Sequence, residues 1–248
     1  MSAAAEARRA LDRLLETDAP ALRADLPPGF VDAAQRYVEL LLEANTRVNL
    51  TRIVDPAEVA RLHLLDALSV LPLLDSLDLG LGRALDLGSG GGVPGIVLAL
   101  ARPGLSWTLV DSVRKKADAM RGFVDALDLG NVTVVAERAE ILGRDPDHRA
   151  RYDLVTARAC AAMPVLAEYA LPLIRVGGAL VAWKGVVASD ELRAGNAAAA
   201  RLGGGDLELR PTGIAGLGEH QFILVSKPRA TADRYPRRPG EPARRPLR

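Results

Sequence analysis

The chain reads as an α/β protein: a Rossmann-like, doubly wound sheet with helices on both faces, a small helical extension before it and an antiparallel hairpin strand at its end. Three observations predict this. From about residue 83 to 184, short apolar strands alternate with helices of ten to fifteen residues, the pattern of a parallel sheet covered on both faces. At Arg83–Ala101 a strand runs into a glycine cluster and then into a helix, the order a nucleotide-type loop requires. Before that, residues 1–75 carry helical periodicity alone.

The elements follow in order. Leu11, Leu14 and Leu15 share one helix face, and after the breaker Pro27-Pro28-Gly29 the positions Phe30, Ala34, Tyr37, Val38, Leu41 and Leu42 repeat the same period. A third helix opens with Asp55 as N-cap, Pro56 in the first turn and Glu58 where a capping box places a carboxylate, and continues as an apolar stripe from Ala60 to Leu71. Strands are predicted at Arg83–Leu87, Trp107–Asp111, Val132–Ala136, Tyr152–Ala157 and Ala179–Lys184. Helices are predicted over Pro94–Ala101, Arg114–Leu127 and Met163–Ile174. Leu207–Pro211 and Gln221–Ser226 are separated by a short glycine-rich link, which suits a hairpin rather than a crossover. Beyond Pro228 the chain turns Pro- and Arg-rich with almost no apolar residues, which reads as a disordered basic tail. The boundaries drawn are residues 1–78, 79–227 and 228–248.

Composition excludes several classes. With 248 residues, 49% hydrophobic and 25% charged, the chain can bury a substantial core. A net charge of +1 rules out a uniformly cationic coat, so any grip on a polyanion must be local. Of the 32 basic residues only four are lysine, an imbalance that reads as coding bias. One cysteine excludes a disulfide framework and a thiolate cluster, and His63, His148 and His220 lie too far apart to suggest a metal site. No apolar run reaches the roughly 20 residues of a membrane helix, and residues 1–13 lack a signal core. The expectation is a cytoplasmic monomer with no membrane partner.

The most informative stretch is Asp86-Leu-Gly-Ser-Gly-Gly-Gly-Val-Pro-Gly95. Its glycines allow a tight turn and close approach of backbone to a ligand, and such a turn presents amide groups to an anion. Gly90 to Gly95 match the dinucleotide pattern literally, and Asp111 stands where a ribose acceptor would. Two features favour S-adenosylmethionine over a nicotinamide. Asp86 lies inside the strand, two residues before the first glycine, where a carboxylate suits the methionine ammonium directly or through water. Strands two and three end in polar residues suited to adenosine, Asp111 and the pair Ala139-Glu140.

Asn49-Leu-Thr51, Arg61-Leu-His63-Leu-Leu-Asp66-Ala-Leu68, the glycine loop, Asp111-Ser112, Thr156-Ala-Arg158-Ala159 and Lys184-Gly185 occur in that order. Over about residues 30–227 the chain thereby resembles the small-subunit ribosomal RNA methyltransferase G family, also called glucose-inhibited division protein B. The resemblance implies a class I AdoMet-dependent methyltransferase fold and transfer of a methyl group from S-adenosylmethionine to N7 of guanine 527, in the 530 loop of 16S rRNA. Cofactor contacts are implied from Gly88, Val93, Ala139, Glu140 and Arg158; Asp86, Gly90, Gly92 and Asp111 fit the wider methyltransferase pattern. Members often carry Arg before the last strand, where Glu219-His220-Gln221 stands here.

Guanine N7 has an available lone pair, so positioning and desolvation suffice and no base is required. The sequence accordingly offers no Ser/His/Asp constellation and no strand-end Asn-Pro-Pro-Tyr. Arg158 and Lys184, at the carboxyl ends of strands four and five where such sheets place ligands, are the expected catalytic residues. Arg158 is assigned to the methionine end or an RNA phosphate, and Lys184 to a phosphate or guanine O6. RNA contacts are also expected from Asn49, His63, Arg114 and Lys115. Structural readings stand beside them: Asn49 holding the loop between helices and sheet, His63 and Asp66 making an interdomain hydrogen bond, and Arg114, Lys115 and Lys116 forming a solvated face. Cys160 reads as a small core residue, and Trp107 and Trp183 as packing groups. The expected partner is the 30S particle. The alternatives are a small-molecule methyltransferase, a nicotinamide-dependent oxidoreductase and a non-catalytic assembly factor.

Overall fold

A computed structural model describes residues 2–77, 79–80 and 82–248. Among these, helices α1 (Ala3–Thr17), α2 (Pro20–Asp25) and α3 (Phe30–Asn45) precede a continuous helical run. That run is α4 (Pro56–Glu58), a π-helical stretch (Val59–Leu65) and α5 (Asp66–Leu68), with α6 (Leu71–Ser76) after it. Asp55 caps the run as its sequence predicts, accepting from the Glu58 amide at 3.0 Å. The π geometry replaces the regular helix expected there; π turns inside helices are often found at functional sites, and this one carries His63.

The sheet has seven strands in the order β3-β2-β1-β4-β5-β7-β6. These are β1 (Arg83–Leu87), β2 (Ser106–Val110), β3 (Val132–Val135), β4 (Tyr152–Arg158), β5 (Ile174–Lys184), β6 (Leu207–Pro211) and β7 (Gln221–Ser226). The first five are mutually parallel and β7 runs antiparallel between β5 and β6, so the expected hairpin is present. The helices between strands are α7 (Gly95–Ala101), α8 (Arg114–Ala126), α9 (Ala139–Leu142), α10 (Met163–Ala170) and α11 (Ser189–Arg201). Strand alternation sorts the core. Ala84, Leu109, Leu154, Val181 and Leu224 face a cluster shared with the N-terminal helices, while Leu85, Val155, Leu180 and Val225 face a second cluster with α10 and α11. Helix α11 was not expected, because its buried face is Gly195, Ala198 and Ala199 and such small residues give almost no apolar periodicity.

Residues 228–248 depart from the expected disorder. Tyr235 and Leu247 are buried in the second cluster, and the segment ends in a short helix, α12 (Glu241–Arg244). Composition misled because the anchors are hydrogen bonds to backbone. Arg144 donates to the carbonyls of Pro236 and Arg234, and Arg149 to those of Tyr235 and Thr231. Few apolar residues are needed when the chain's own carbonyls are paired this way.

Candidate functional site

The glycine loop leaves β1 at the carboxyl edge of the sheet. Asp86 and Thr156 are register partners on β1 and β4, which brings the Thr156 hydroxyl to the Asp86 carboxylate at 2.7 Å. The other Asp86 oxygen accepts from the Gly95 amide at 3.1 Å. Asp86 is wholly buried, and burial pushes its carboxyl above the ordinary range against the pull of those bonds. Direct contact between Asp86 and a ligand ammonium is therefore not what the geometry provides; the carboxylate shapes the loop from beneath. Gly92 sits at φ +96°, and a Cβ there would lie 2.5 Å from the Ile96 side chain, so this turn requires glycine. The loop's amides are largely satisfied internally. Gly88 and Ser89 donate to the Val110 carbonyl, Gly92 and Val93 to that of Ser89, and Gly90 to Asp111 at 3.0 Å. Close approach, rather than a nest of free donors, is what the loop offers.

Two cavities meet at Gly88. One, about 200 Å³, is lined by Asp111, Ser112, Ala139, Glu140, Cys160 and Tyr169 among others. Asp111 spans from Gly90 to the Val113 amide at 2.8 Å, which fixes its carboxylate at the rim. Glu140 is 2% exposed. Burial raises its carboxyl, yet the Arg138 guanidinium and the Gly240 amide, both bonded to Oε1, outweigh that and hold it below the ordinary range. An ionised carboxylate accepts only, so this wall selects ligand donors such as hydroxyl and amino groups. Cys160, expected in the core, is exposed at this cavity.

The other cavity, about 190 Å³, lies between the loop and the helical extension, with Leu41, Leu50, Thr51, His63, Val93 and Arg158 in its walls. Here the extension joins the site in a way the sequence did not disclose. Tyr37, fully buried in α3, donates its hydroxyl to the Gly91 carbonyl at 2.8 Å. Asn45 accepts from the Leu50 and Thr51 amides and donates to the Thr51 carbonyl. The loop-holding role thus belongs to Asn45, whereas Asn49 is exposed. The signal for Asn45 was available only as an Asn ending a helix.

A third cavity, about 570 Å³, shares Leu50, Thr51, His63, Arg158 and Ala159 with the second and adds Asp66, Trp183, Lys184 and His220. Arg158 forms the partition. Its guanidinium donates to the Leu62 carbonyl, to Asp66 at 3.2 Å and to His63 Nδ1 at 3.2 Å. Because arginine can only donate, Nδ1 of His63 accepts and Nε2–H donates to the Thr51 hydroxyl at 2.9 Å. Burial, then the Arg158 charge, lowers His63 to about 4 and keeps it neutral. His220 donates from Nδ1 to the second Asp66 oxygen at 2.9 Å. Lys184 donates to the Ala161 carbonyl at 3.0 Å and to Glu191 at 2.9 Å; Glu191 lies on the unexpected helix α11. Trp183 packs edge-on against Phe222 and donates to the Asp66 carbonyl at 2.9 Å, and Trp107 is buried, so both are packing groups as expected. Arg114 and Lys115 stand exposed on the first turn of α8, and Lys115 lines a separate groove with Arg47.

Among the described residues no group of His, Cys, Asp and Glu could hold a metal ion, and no helix is long and apolar enough to cross a membrane. The cofactor expected from the sequence fits what is present. Two cavities share Gly88 in their walls, with the Asp111 and Glu140 carboxylates along one and the Arg158 cation along the other.

A family model described as rRNA small subunit methyltransferase G matches residues 31–213. The chain is 45% identical over 235 residues to the ribosomal RNA small subunit methyltransferase G of Deinococcus deserti, covering 94% of this chain and 95% of that protein. It is 44% identical over 218 residues to the protein of the same name from Roseiflexus castenholzii, covering 88% and 92%. Among solved structures it is similar to an O-methyltransferase from Bacillus cereus in complex with SAH, with a TM-score of 0.53, 19% identity and coverage of 77% and 91%. It is also similar to the apo form of the S-adenosylmethionine-dependent methyltransferase SibL, with a TM-score of 0.53, 19% identity and coverage of 90% and 74%. These last two likenesses bear on the fold.

Proposed function

The chain belongs to the rRNA small subunit methyltransferase G family, and on that premise we propose that it methylates N7 of guanine 527 in the 530 loop of 16S rRNA, acting as a monomer on the 30S particle in the cytoplasm. It is an AdoMet-dependent methyltransferase with the class I α/β fold. The observation that carries the finer reading is the set of residues common to the loop cavity and the 570 Å³ cavity, Leu50, Thr51, His63, Arg158 and Ala159. A donor seated beside the glycine loop and a base in the larger space would come into direct contact at the edge of these shared residues.

S-adenosylmethionine, when bound, supplies an electrophilic methyl on a sulfonium. The protein's residues then have four tasks. Asp111 and Glu140 accept from the hydroxyl and amino groups of the nucleoside end, with Gly88, Gly90, Gly92, Val93 and Ala139 giving close backbone approach. Arg158 attracts the carboxylate at the other end while its bonds to Asp66, His63 and the Leu62 carbonyl fix its plane. Lys184 has three donors, of which two are held by Ala161 and Glu191; the third is left for guanine O6 or a phosphate. His63 stays neutral, its Nδ1 accepting from Arg158 and so helping to orient the guanidinium. N7 attacks with its own lone pair, so the residues position and desolvate rather than transfer protons.

The test is the methylation state of 16S rRNA from a strain lacking this gene. Mass spectrometry of the 530-loop fragment should show loss of 7-methylguanosine and its return when the wild-type gene is restored. An unchanged modification would reject the assignment, and methyl transfer confined to small metabolites would favour the small-molecule alternative.

A further inference from the structure

The C-terminal segment runs behind the nucleoside end of the cofactor site and touches both elements that form its wall. Gly240 donates its amide to Glu140 Oε1 at 2.7 Å. Three residues earlier, Arg237 closes on Glu168: its amide donates to Oε1 at 2.8 Å, its Nε at 2.9 Å, and its terminal nitrogen to Oε2 at 2.6 Å. Glu168 is completely buried and precedes Tyr169, which lines the same cavity as Glu140. Between the segment and the site lies Gly143, where an added Cβ would meet Pro236 at 2.8 Å. Nothing in the residues matched by the family model, 31–213, includes this segment.

We propose that residues 234–241 form a strap that belongs to the cofactor site, holding Glu140 and Tyr169 in the geometry that recognises the nucleoside end of S-adenosylmethionine. This rests on the cofactor reading above. The physical case has two parts. A buried carboxylate is an efficient acceptor only while ionised, and burial works against ionisation. The Gly240 amide and Arg138 supply the opposing bonds, so without the strap Glu140 loses one of its two Oε1 partners. Second, Glu168 lies in an apolar cluster with Arg237 as its ion-pair partner. Removing that arginine leaves an uncompensated buried charge at the residue next to Tyr169. The strap is thus coupled to the wall through charge-assisted hydrogen bonds rather than through apolar area. Coupling between a docked segment and a ligand is reciprocal, so bound cofactor must also tighten the strap.

The full-length protein tests both directions. Affinities for S-adenosylmethionine and for 5′-methylthioadenosine, which lacks the methionine end, are measured by calorimetry for wild type, Arg237→Ala and Arg237→Lys, well below each melting temperature. Arg237→Ala is expected to weaken both ligands about tenfold and Arg237→Lys to recover part of that loss. A strap that only props up the fold would lower the melting temperature and leave 5′-methylthioadenosine affinity within twofold of wild type; that result overturns the proposal. In unmodified protein, saturating S-adenosylmethionine should slow tryptic cleavage after Arg234 and Arg237 at least fivefold. An unchanged cleavage rate also overturns it, even where the variants do not fold. Failure of wild type to bind S-adenosylmethionine at all is the distinct outcome that sinks the cofactor reading along with the strap.

Discussion

Asp86, buried beneath the glycine loop, and Arg158, in the wall of the loop cavity, act in different ways. Asp86 is wholly buried, and its substitution by Ala removes the acceptor for Thr156 and Gly95 in a sealed environment. Unpaired buried donors cost about 1–3 kcal/mol each, so Asp86→Ala is expected to lower S-adenosylmethionine affinity by more than tenfold, read by calorimetry, together with a lower melting temperature. Arg158→Ala and Arg158→Lys should both cut turnover on 30S particles by more than tenfold. A lysine cannot reproduce a planar fork that meets a carbonyl, a carboxylate and an imidazole at once. Near-normal turnover in the lysine variant would show that charge alone matters there. His63 gives a pH signature. Its folded value of about 4 lies below the ordinary 6.5, so between these values the unfolded chain binds more protons. Its contribution, on the order of 3 kcal/mol, is fully present above about pH 6.5 and is lost as pH falls towards 4. Denaturant melts of wild type and His63→Gln should differ in slope over that window. Asp111, Glu140 and Arg158 were legible because strand-end polar residues follow from the fold pattern. Thr51 and Tyr37 were not, since their partners His63 and Gly91 lie across contacts that no local period reveals; Asn45 was not, since its bonds to Leu50 and Thr51 shape an irregular turn.

At the level of elements, α3 is more than a covering helix. Its Leu41 lines the loop cavity and its Tyr37 hydroxyl satisfies the Gly91 carbonyl, so it fixes the top of the loop while Asp86 fixes the base. Tyr37→Phe keeps the edge-on packing against Phe123 at 6.1 Å but leaves that carbonyl unpaired. We expect a loss of roughly 1–2 kcal/mol in unfolding free energy and a threefold or greater rise in the S-adenosylmethionine Kd; an unchanged Kd would limit α3 to packing. Helix α11 acts on the site from the other side, through Glu191 on Lys184. Its alanine face hid it from hydrophobic periodicity, and with it went the carboxylate that partners the expected catalytic lysine. Six of the seven strands were read to within a residue at each end; β5 begins at Ile174, five residues before its predicted start, where the preceding helix was expected to continue, and the π-helical turn at Val59–Leu65 has no periodic signature of its own.

Across the whole molecule, the sheet separates two hydrophobic clusters, with the N-terminal helices on one and the C-terminal strap on the other. Composition placed the strap outside the fold because its anchors are polar, Arg144 and Arg149 reaching its carbonyls and Arg237 pairing with Glu168, a use of charge that residue frequencies do not distinguish from solvated disorder. Gly88 stands at the junction of the two cavities, at the one edge where both faces of the sheet come within reach of a single ligand. A nucleoside lodged there acts as a rivet through the plate. Binding free energy of this kind adds to the stability of everything it touches, so amide hydrogens in α3 and in α10, which pack into different clusters, should exchange more slowly in concert once the cleft is filled.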